Sequence, residues 1–487
     1  MTRVHLSNKR TKRTVISLGA VALALALSGV ATSTVGASGQ LPLLNRSAKG
    51  QVDEYGGAAR ERGDQSQLIK DSIKATGARN VILFIGDGMG DSEITVARNY
   101  LEGAGGFFKG IDALPLTGQM THYSVDKTTG KPDYTPDSAA TGTAWSTGVK
   151  TYDNAISVDR HGKAYPTLLE QAKRSGLATG DITTSEIQDA TPAVEVSHIS
   201  QRSCYGPVAT TKTCPEAAKE NGGRGSISEQ LLDTRPDVTL GGGSTTFAET
   251  ATAGKWKGKT LEEQAKLRGY RYITDKNDLG YIRKADQDQP LLGLFSPGNM
   301  PVRFAPQLAT PGGGAATAPA ATCKPEPTNS SVPDLKSMTS KSIDLLSSNK
   351  AGKKKGFFLQ VESASIDKKD HAADACGQIG ETGQLDEAVT EALNFAKKDG
   401  HTLVIVTADH AHTSQIVDGD TPGLTTKLTT KDGANMIVSY GTAPQGGSQQ
   451  HTGTQLRVAG YGPGAANLVG LIDQTDLHFI IDKTVKR

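Results

Sequence analysis

Residues 402–412 read TLVIVTADHAH, an apolar run that ends in an aspartate and two histidines. A short apolar run that begins two residues after Gly400 is typical of a strand buried on both faces of a parallel sheet. Asp409 and His410 then lie at the carboxyl end of that strand. Open α/β sheets bind their ligands at this edge, so the stretch predicts both a fold class and the place of a site.

Two more apolar strands are followed by an acid in the same way. Residues 80–86, NVILFIG, lead into Asp87, and residues 357–361, FFLQV, lead into Glu362. Because parallel strands end at a common edge, the three acids should meet in space. The sequence therefore predicts an α/β fold with a central, mostly parallel sheet flanked by helices on both faces, and a polynuclear metal site at the carboxyl ends of the strands.

Helical spacing alternates with the strands along the rest of the chain. It predicts helices near residues 91–101, 165–175, 334–348 and 385–398, and further short strands near 177–180 and 238–240. We interpret residues 71–487 as a single catalytic domain with inserted loops, one of them the Gly/Ala/Pro/Thr-rich segment 309–322. Residues 38–70 are polar and poorly patterned, which indicates a flexible or loosely docked arm.

The first 37 residues have the pattern of a secretion signal. Five basic residues and no acids occur there, an apolar stretch runs from 15 to 30, and small residues at 35–37 offer a cleavage site. A transmembrane anchor is the alternative, but the run is shorter than the ~20 residues that span a bilayer. We predict an exported protein without a stable membrane anchor, either periplasmic or secreted.

The net charge and the cysteines indicate which binding partners and which cellular compartment to expect. The chain has a net charge of +2, and the five basic residues of the signal account for all of it, which leaves −3 for the rest. No basic face is indicated, so nucleic acid is not an expected partner. Four cysteines allow three pairings, and in an oxidising compartment we predict Cys204–Cys214 and Cys323–Cys376. A cysteine zinc site is the alternative, although the chain has no Cys-x-x-Cys pair.

Several candidate ligands stand close to the strand ends. Asp367 and His371 are spaced i, i+4, so on one helix they face the same way. His451 lies in a loop, where a lone histidine is usually only solvated. The glycines around Asp87 lack the spacing of a dinucleotide fingerprint and the Gly-Lys-Ser/Thr of a P-loop, and fit a tight turn that exposes Asp87.

Repulsion among the acids favours the interpretation that they bind cations. Two like charges about 4 Å apart repel by about 4 kcal/mol at an effective dielectric near 20. Several such pairs among the four acids named above would exceed the roughly 5–15 kcal/mol by which a domain is stable. Imidazoles beside carboxylates favour zinc, and an oxygen-only subset favours magnesium.

Ser138 is the candidate nucleophile. It stands in PDSAAT, residues 136–141, where a helix N-terminus would favour an incoming anion. The alternative is that Ser138 is only a helix cap, and it is not in a Gly-x-Ser-x-Gly elbow. Arg202 is the candidate phosphate ligand, since a guanidinium matches two phosphate oxygens, although most arginines are surface residues.

Taken together, these blocks resemble the bacterial secreted alkaline phosphatases. The matching blocks, in chain order, are GDGMGDS at 86–92, PDSAAT at 136–141, QDATP at 188–192, RSCYGP at 202–207, VESASIDK at 361–368, TADHAH at 407–412 and HTG at 451–453. The resemblance extends from about residue 70 to near the C-terminus.

The resemblance implies two Zn²⁺ and one Mg²⁺ per subunit. By motif, the first zinc site would be formed by Asp367, His371 and His451. The second zinc site would be formed by Asp87, Asp409 and His410. Magnesium would be bound by Asp87, Thr191 and Glu362. Ser138 resembles the nucleophile and Arg202 the phosphate clamp, Asp189 and Lys368 resemble the pair that acts on magnesium and phosphate through water, and His412 resembles a residue that orients a zinc-binding carboxylate.

The function that this resemblance implies is broad-specificity, metal-dependent hydrolysis of phosphate monoesters through a phosphoserine, for phosphate scavenging outside the cytoplasm, by a homodimer. A phosphodiesterase or sulfatase on the same metal scaffold is the nearest alternative. A non-catalytic phosphate scavenger is the alternative from a different class, and the presence of Ser138 beside Asp189 and Lys368 argues against it.

Overall fold

The computed structural model describes residues 41–60, 63–73 and 77–486. The described residues form one compact unit. The predicted signal, residues 1–37, lies outside the described residues. Within the described ranges, no helix has both the length and the apolar character that a membrane crossing requires.

A ten-stranded mixed sheet is the centre of the fold. The strands of the chain are β1 (Asn80–Gly86), β2 (Leu116–Thr121), β3 (Ser124–Val125), β4 (Pro132–Asp133), β5 (Ala178–Glu186), β6 (Val238–Gly242), β7 (Arg271–Ile273), β8 (Leu291–Leu294), β9 (Phe357–Ser363), β10 (Thr402–Ala408), β11 (Gln415–Val417), β12 (Leu424–Thr429), β13 (Asn435–Tyr440), β14 (Leu456–Tyr461) and β15 (Gly470–Asp473). Their order in the large sheet is β15-β2-β14-β10-β1-β9-β5-β6-β8-β7. Only β14 runs antiparallel to its neighbours, β10 and β2, which confirms the predicted mostly parallel sheet.

The three strands that end in acids lie side by side. β1 pairs in parallel with β10 on one side and with β9 on the other. All seven residues of each strand are buried. A strand covered on both faces needs an unbroken apolar run. Burial on both faces therefore explains both the apolar pattern of these strands and their central position in the sheet.

Helices cover both faces of the sheet. They are α1 (Ser66–Ser72), α2 (Asp91–Glu102), α3 (Ser138–Thr147), α4 (Leu168–Arg174), α5 (Ala190–Val196), α6 (Pro207–Thr213), α7 (Ile227–Thr234), α8 (Ser244–Phe247), α9 (Leu261–Leu267), α10 (Lys276–Tyr281), α11 (Leu335–Ser348), α12 (Lys350–Lys355), α13 (Ser365–His371), α14 (Ala375–Asp399) and α15 (Gln474–Val485). One group, α2, α11, α13 and α14, packs together, and a second group is built around α3, α4, α5 and α15. Helices of both groups contact β1, β5 and β9, so the groups form two layers.

Helix α14 begins ten residues before the predicted start at residue 385. Asp374 caps it by accepting from the Gly377 backbone N–H at 3.1 Å. The predicted helix is confirmed, but its start was wrong because the first turns contain glycines in place of apolar side chains. At Gly380, an added Cβ would lie 3.0 Å from the Phe304 ring, so the helix face is smooth where another segment packs closely against it.

The segment predicted as an arm contacts the body in its described part. Leu41 is buried, and its carbonyl accepts a hydrogen bond from the Tyr461 hydroxyl at 2.7 Å. The Leu44 backbone N–H donates to the Ala113 carbonyl at 3.0 Å. The division of the chain at residues 37 and 70 stays a prediction.

Both predicted disulfides are present. Cys204 pairs with Cys214 across α6, with their Cα atoms 6.4 Å apart. Cys323 pairs with Cys376 and ties the long loop before α11 to the start of α14, with their Cα atoms 5.3 Å apart. Since every cysteine of the chain is paired, a cysteine zinc site is excluded.

Candidate active site

Strand register brings the predicted acids to one edge. Gly86, the last residue of β1, is opposite Ala408 of β10 and Ser363 of β9. Asp87 and Asp409 are therefore the next residues along two adjacent strands. The Asp409 carboxylate accepts from the Gly88 backbone N–H at 2.9 Å. Gly88 has φ of +71°, and an added Cβ would lie 3.0 Å from the Asp367 Cα, so this turn requires glycine.

One cluster gathers around the Asp367 carboxylate. Its Oδ1 lies 3.2 Å from His371 Nε2, 3.2 Å from His412 Nε2 and 3.3 Å from His451 Nε2. The ligand atoms of all four residues lie within 4.8 Å of one another. Yet, over the described ranges, neither Asp367 Oδ1 nor His412 Nε2 has a partner in hydrogen-bond geometry.

The ring nitrogens facing away from the cluster decide which histidines can bind a cation. His371 Nδ1 contacts the Gln449 carbonyl, and His451 Nδ1 donates to the Pro136 carbonyl at 2.8 Å. A neutral imidazole that donates from Nδ1 presents a lone pair at Nε2, which is what a metal ion requires. In both rings that lone pair is directed at the cluster.

His412 has the opposite tautomer. Its Nδ1 accepts from the Thr413 backbone N–H at 3.0 Å, so in the neutral ring the proton is on Nε2. Nε2–H lies beside Asp367 Oδ1, 3.2 Å away, in a contact that falls outside hydrogen-bond geometry in this structure. His412 is therefore suited to orient the carboxylate and not to bind the ion itself.

A second cluster consists of Asp87, Asp409 and His410. His410 Nε2 lies 3.3 Å from Asp87 Oδ1 and 3.2 Å from Asp409 Oδ2. Its Nδ1 is 3.3 Å from the Ala411 carbonyl, so a lone pair at Nε2 again faces the acids. Asp409 Oδ2 has no hydrogen-bond partner in the part of the chain that the structure describes.

Glu362 and Thr191 supply further buried oxygens, and Glu362 lies close enough to Asp87 to be affected by its charge. Glu362 Oε2 accepts hydrogen bonds from the hydroxyls of Thr183 and, at 3.2 Å, Ser185. Thr191 Oγ1 is buried and, within the described ranges, has no hydrogen-bond partner. Burial, with the Asp87 carboxylate nearby, raises the pKa of Glu362 to about 8. Without a cation, this carboxyl would hold a proton at neutral pH.

Charge repulsion also acts on Asp409. Burial, and then the neighbouring Asp87 carboxylate, raise the pKa of Asp409 well above its usual range. Burial alone would raise the pKa of Asp367 as well, but its histidine neighbours lower it well below the usual range. The acids at this edge are thus stable as carboxylates only where positive charge faces them.

Ser138 is the first residue of α3 and is 3% exposed. Asp137 caps the helix by accepting from the Ala140 backbone N–H at 3.0 Å. The Ser138 hydroxyl lies 3.2 Å from His410 Nε2 and 3.4 Å from Asp87 Oδ1. The helix N-terminus and the second cluster therefore meet at this hydroxyl.

Two cations line the other side of the site. Arg202 Nη1 donates to Asp137 Oδ2 at 3.0 Å, and Nη2 donates to Asp189 Oδ1 at 3.0 Å. Lys368 Nζ donates to Asp189 Oδ2 at 2.8 Å. Burial would raise the pKa of Asp189, but the two cations outweigh it and lower that pKa well below its usual range. The carboxylate is a fixed anchor between them.

Comparisons with known proteins agree with this geometry. A sequence model of the family described as alkaline phosphatase matches residues 78–447. The chain belongs to the alkaline phosphatase family. It is 63% identical over 444 residues to the alkaline phosphatase of Escherichia coli strain K12, which covers 90% of this chain and 93% of that protein. It is 58% identical over 468 residues to alkaline phosphatase H of Pseudomonas aeruginosa strain UCBPP-PA14, covering 96% and 97%.

The fold is also similar to that of a solved alkaline phosphatase. A variant of the TAB5 alkaline phosphatase, with magnesium bound in its M3 site, superposes with a TM-score of 0.61 at 25% identity. The match covers 85% of this chain and 99% of that chain.

The residues present fit the metal ions that an alkaline phosphatase requires. Buried oxygens of Asp367, Asp409 and Thr191 lack hydrogen-bond partners among the described residues, and histidine lone pairs converge beside two of them. Nitrogen and carboxylate donors suit zinc, and the Glu362 and Thr191 oxygens suit magnesium. The structure brings Asp367, His371, His412 and His451 into one cluster and Asp87, Asp409 and His410 into another. Ser138 lies beside the second cluster, and Arg202 and Lys368 share the Asp189 carboxylate. The role of each of these residues stays a prediction.

Some residues of the site had no role assigned from the sequence. Thr183 and Ser185 support Glu362, Asp137 contacts Arg202, and the Tyr205 hydroxyl donates to Asp189 Oδ1 at 2.8 Å. Tyr205 lies in the matched block at 202–207, three residues after Arg202, and that proximity was the available signal. Thr183 and Ser185 gave none, because hydroxyls in a strand are common.

Proposed function

We propose that the chain hydrolyses phosphate monoesters with broad specificity, through a phosphoserine at Ser138. One observation supports this most directly. The Ser138 hydroxyl lies within 3.4 Å of both Asp87 and His410, and the adjacent Asp137 contacts Arg202. A nucleophile is thereby placed between a candidate metal cluster and a phosphate-binding cation.

We assign the ions as two Zn²⁺ and one Mg²⁺. Asp367, His371 and His451 would hold the first zinc, with His412 orienting Asp367. Asp87, Asp409 and His410 would hold the second zinc. Asp87, Thr191 and Glu362 would hold magnesium. When bound, such ions favour the alkoxide form of a serine and neutralise charge on the phosphoryl oxygens.

The side chains themselves bind and orient the substrate. Arg202 uses two of its five N–H groups on Asp137 and Asp189, which leaves three for phosphate oxygens. The first turn of α3 adds free backbone N–H groups and the positive end of its dipole. These contacts all address the phosphoryl group, so the alcohol part of the ester is weakly selected.

The reaction then proceeds in two displacements. Ser138 Oγ forms a bond to phosphorus as the bond to the alcohol oxygen breaks, and the proton lost by the Ser138 hydroxyl leaves on the alcohol. The water oxygen next forms a bond to the same phosphorus, the bond to Ser138 Oγ breaks, one water proton returns to Ser138 Oγ, and inorganic phosphate is released. Arg202 and the first turn of α3 stabilise the charge on the phosphoryl oxygens in both steps.

We further propose an exported protein, periplasmic or secreted, that scavenges phosphate as a homodimer from small phosphomonoesters. The two disulfides and the N-terminal sequence support export to an oxidising compartment. Exposed apolar side chains beside and on β15 support the dimer, since Val469 and Leu471 lie at the open edge of the large sheet.

A substrate panel tests the proposed function. Purified protein would be assayed with an aryl phosphate, an aryl phosphodiester and an aryl sulfate, together with elemental analysis. We expect the monoester to be the best substrate, with activity lost on chelation and restored by zinc and magnesium. A preference for the diester or the sulfate, or full activity in zinc-free protein, would contradict the proposal.

A further inference from the structure

Besides its two cations and the adjacent Ala190 backbone N–H at 2.9 Å, the Asp189 carboxylate has a third side-chain partner. Tyr205 Oη donates to Asp189 Oδ1 at 2.8 Å, the same oxygen that Arg202 Nη2 approaches at 3.0 Å. Lys368 occupies Oδ2 at 2.8 Å. Asp189 is 8% exposed, so solvent competes little for these bonds.

Tyr205 is held in place by core packing, backbone hydrogen bonds and the adjacent disulfide. Its ring packs against the hydrophobic core, and its carbonyl accepts from the Ser228 backbone N–H at 3.0 Å. The preceding residue, Cys204, is bonded to Cys214, and its carbonyl accepts from the Ile227 backbone N–H at 3.1 Å. The phenol therefore extends from a segment that is fixed at the disulfide and at the start of α7.

The Tyr205 hydrogen bond at Oδ1 and the Lys368 hydrogen bond at Oδ2 together restrain the orientation of the Asp189 carboxylate. Without Tyr205, the side chains that hold Asp189 would be the long, flexible ones of Lys368 and Arg202, in addition to the adjacent Ala190 backbone N–H at 2.9 Å. Tyr205 has two rotatable side-chain bonds and a rigid ring, so it restrains the carboxylate at a smaller entropic cost. Burial and the adjacent carboxylate raise the pKa of Tyr205 well above its usual range, so the phenol remains a donor in alkaline solution.

We propose that Tyr205 is a positioning residue whose hydroxyl fixes the Asp189 carboxylate. Through that carboxylate, it holds Arg202 and Lys368 in the geometry that binds the phosphoryl group. This inference rests on the proposed function, because its consequence is measured as phosphate binding and phosphomonoester turnover. Tyr205 itself contacts neither Ser138 nor the candidate metal ligands among its described hydrogen bonds.

The test is Tyr205→Phe, which keeps the ring and removes only the hydroxyl. A hydrogen bond to a charged group contributes enough for kcat/KM to fall on the order of tenfold when it is lost. We expect KM and the inhibition constant of inorganic phosphate to rise together, since the loosened group is the one that binds phosphate. A variant that merely folded less well would have a lower kcat with unchanged KM and inhibition constant.

A double-mutant cycle with Asp189→Ala identifies the route of the effect. In that background the hydroxyl has no carboxylate to hold, so Tyr205→Phe should change kcat/KM by less than about twofold. Tyr165→Phe is the matched control, because the Tyr165 hydroxyl also meets a carboxylate, that of Asp159 at 3.3 Å, in another loop. It should leave activity unchanged.

Two results would overturn the inference. One is wild-type kcat/KM and phosphate inhibition in Tyr205→Phe, and the other is an equal loss in the presence and absence of the Asp189 carboxylate. Failure of the proposed function is distinguishable, because the wild-type protein itself would then not turn over the aryl phosphate. In that case, phosphate binding measured by calorimetry on wild type and Tyr205→Phe still tests the positioning role.

Discussion

The Ser138 hydroxyl lies 3.2 Å from His410 Nε2, although 272 residues separate them in the chain. The His410 ring is fully buried and presents its lone pair at this nitrogen, because Nδ1 faces the Ala411 carbonyl. A cation held by His410 would thus be adjacent to the serine oxygen. This is the arrangement that a covalent phosphoryl transfer requires.

We expect Ser138→Ala to reduce kcat for an aryl phosphate by about 10³-fold or more, because the covalent step is lost. Inorganic phosphate should still bind, since Arg202 and its partners are unchanged. Steady-state rates and phosphate calorimetry measure the two effects. Ser146→Ala, on the same helix but bonded to the Val194 carbonyl, is the control. Unchanged turnover in Ser138→Ala would refute a phosphoserine.

Arg202→Lys tests the forked guanidinium. An ammonium cannot contact both Asp137 and Asp189 and also bind two phosphate oxygens, so we expect a loss of about 2 kcal/mol, or roughly thirtyfold in kcat/KM. Most of it should appear in KM and in phosphate inhibition. Arg174→Lys, at an exposed arginine, should be neutral. An Arg202→Lys enzyme with wild-type KM would show that Arg202 does not bind substrate.

Removing the Glu362 carboxylate should empty one ion site of three. Glu362→Gln keeps the size and the contacts with Thr183 and Ser185, but it removes the charge that favours magnesium. Elemental analysis should find about one magnesium fewer per chain and an unchanged zinc content. Glu381→Gln, at another buried glutamate, should retain all ions. Loss of zinc in Glu362→Gln would contradict the assignment.

The sequence predicted the acids at the strand ends well because their positions follow from one physical rule. Apolar runs identify buried parallel strands, and parallel strands end together, so Asp87, Glu362 and Asp409 had to meet. The start of helix α14 was predicted ten residues too late, because its first turns contain Gly377, Gly380 and Gly383 in place of regularly spaced apolar side chains. Close backbone packing leaves no periodic signal.

The loop residues could not be placed by spacing. His451 and Arg202 lie in segments without helical or strand periodicity. Guanidinium chemistry made Arg202 a candidate phosphate ligand, but only the resemblance to known phosphatases suggested a role for His451. Asp189 precedes a helix of seven residues, and its anchoring by Tyr205 depends on how α5 packs beside the 202–207 segment. Such contacts between loops are set by tertiary packing, which no local pattern encodes.

The two disulfides should differ in their effect on stability. The Cys323–Cys376 bond closes a loop of 53 residues and the Cys204–Cys214 bond a loop of 10. By the loop-entropy relation, we expect losses of about 4 and about 3 kcal/mol when each pair is replaced by serine. Denaturant unfolding at fixed metal concentration measures both. A larger loss for the shorter loop would contradict the entropic account.

Glu195 should make the fold less stable at alkaline pH. Burial, and then the Glu170 carboxylate, raise its pKa to about 8 from the usual 4.5. Because the folded state holds this proton more tightly than the unfolded state, stability is present below pH 4.5 and is lost as pH rises toward 8. Glu195→Gln keeps an acceptor for the Leu169 backbone N–H and removes this loss.

The unfolding free energy of Glu195→Gln should therefore gain a few kcal/mol relative to wild type between pH 5 and pH 9, by order of magnitude. Chemical denaturation at several pH values measures it. Glu262→Gln, at an exposed glutamate, is the control. Parallel pH curves for wild type and Glu195→Gln would show that Glu195 is already ionised in the folded protein.

The donors of the candidate ion clusters span the chain from Asp87 to His451. The His451 ring, moreover, is held by the Pro136 carbonyl, which lies 315 residues earlier. The second cluster joins Asp87 to Asp409 and His410, and in the first the His451 ring is oriented by Pro136, so both ion sites are complete only after most of the chain has folded. If the chain is exported, as we propose, and crosses the membrane unfolded, this dependence on folding would keep the catalyst inert among the phosphate esters of the cytoplasm and activate it only at its destination.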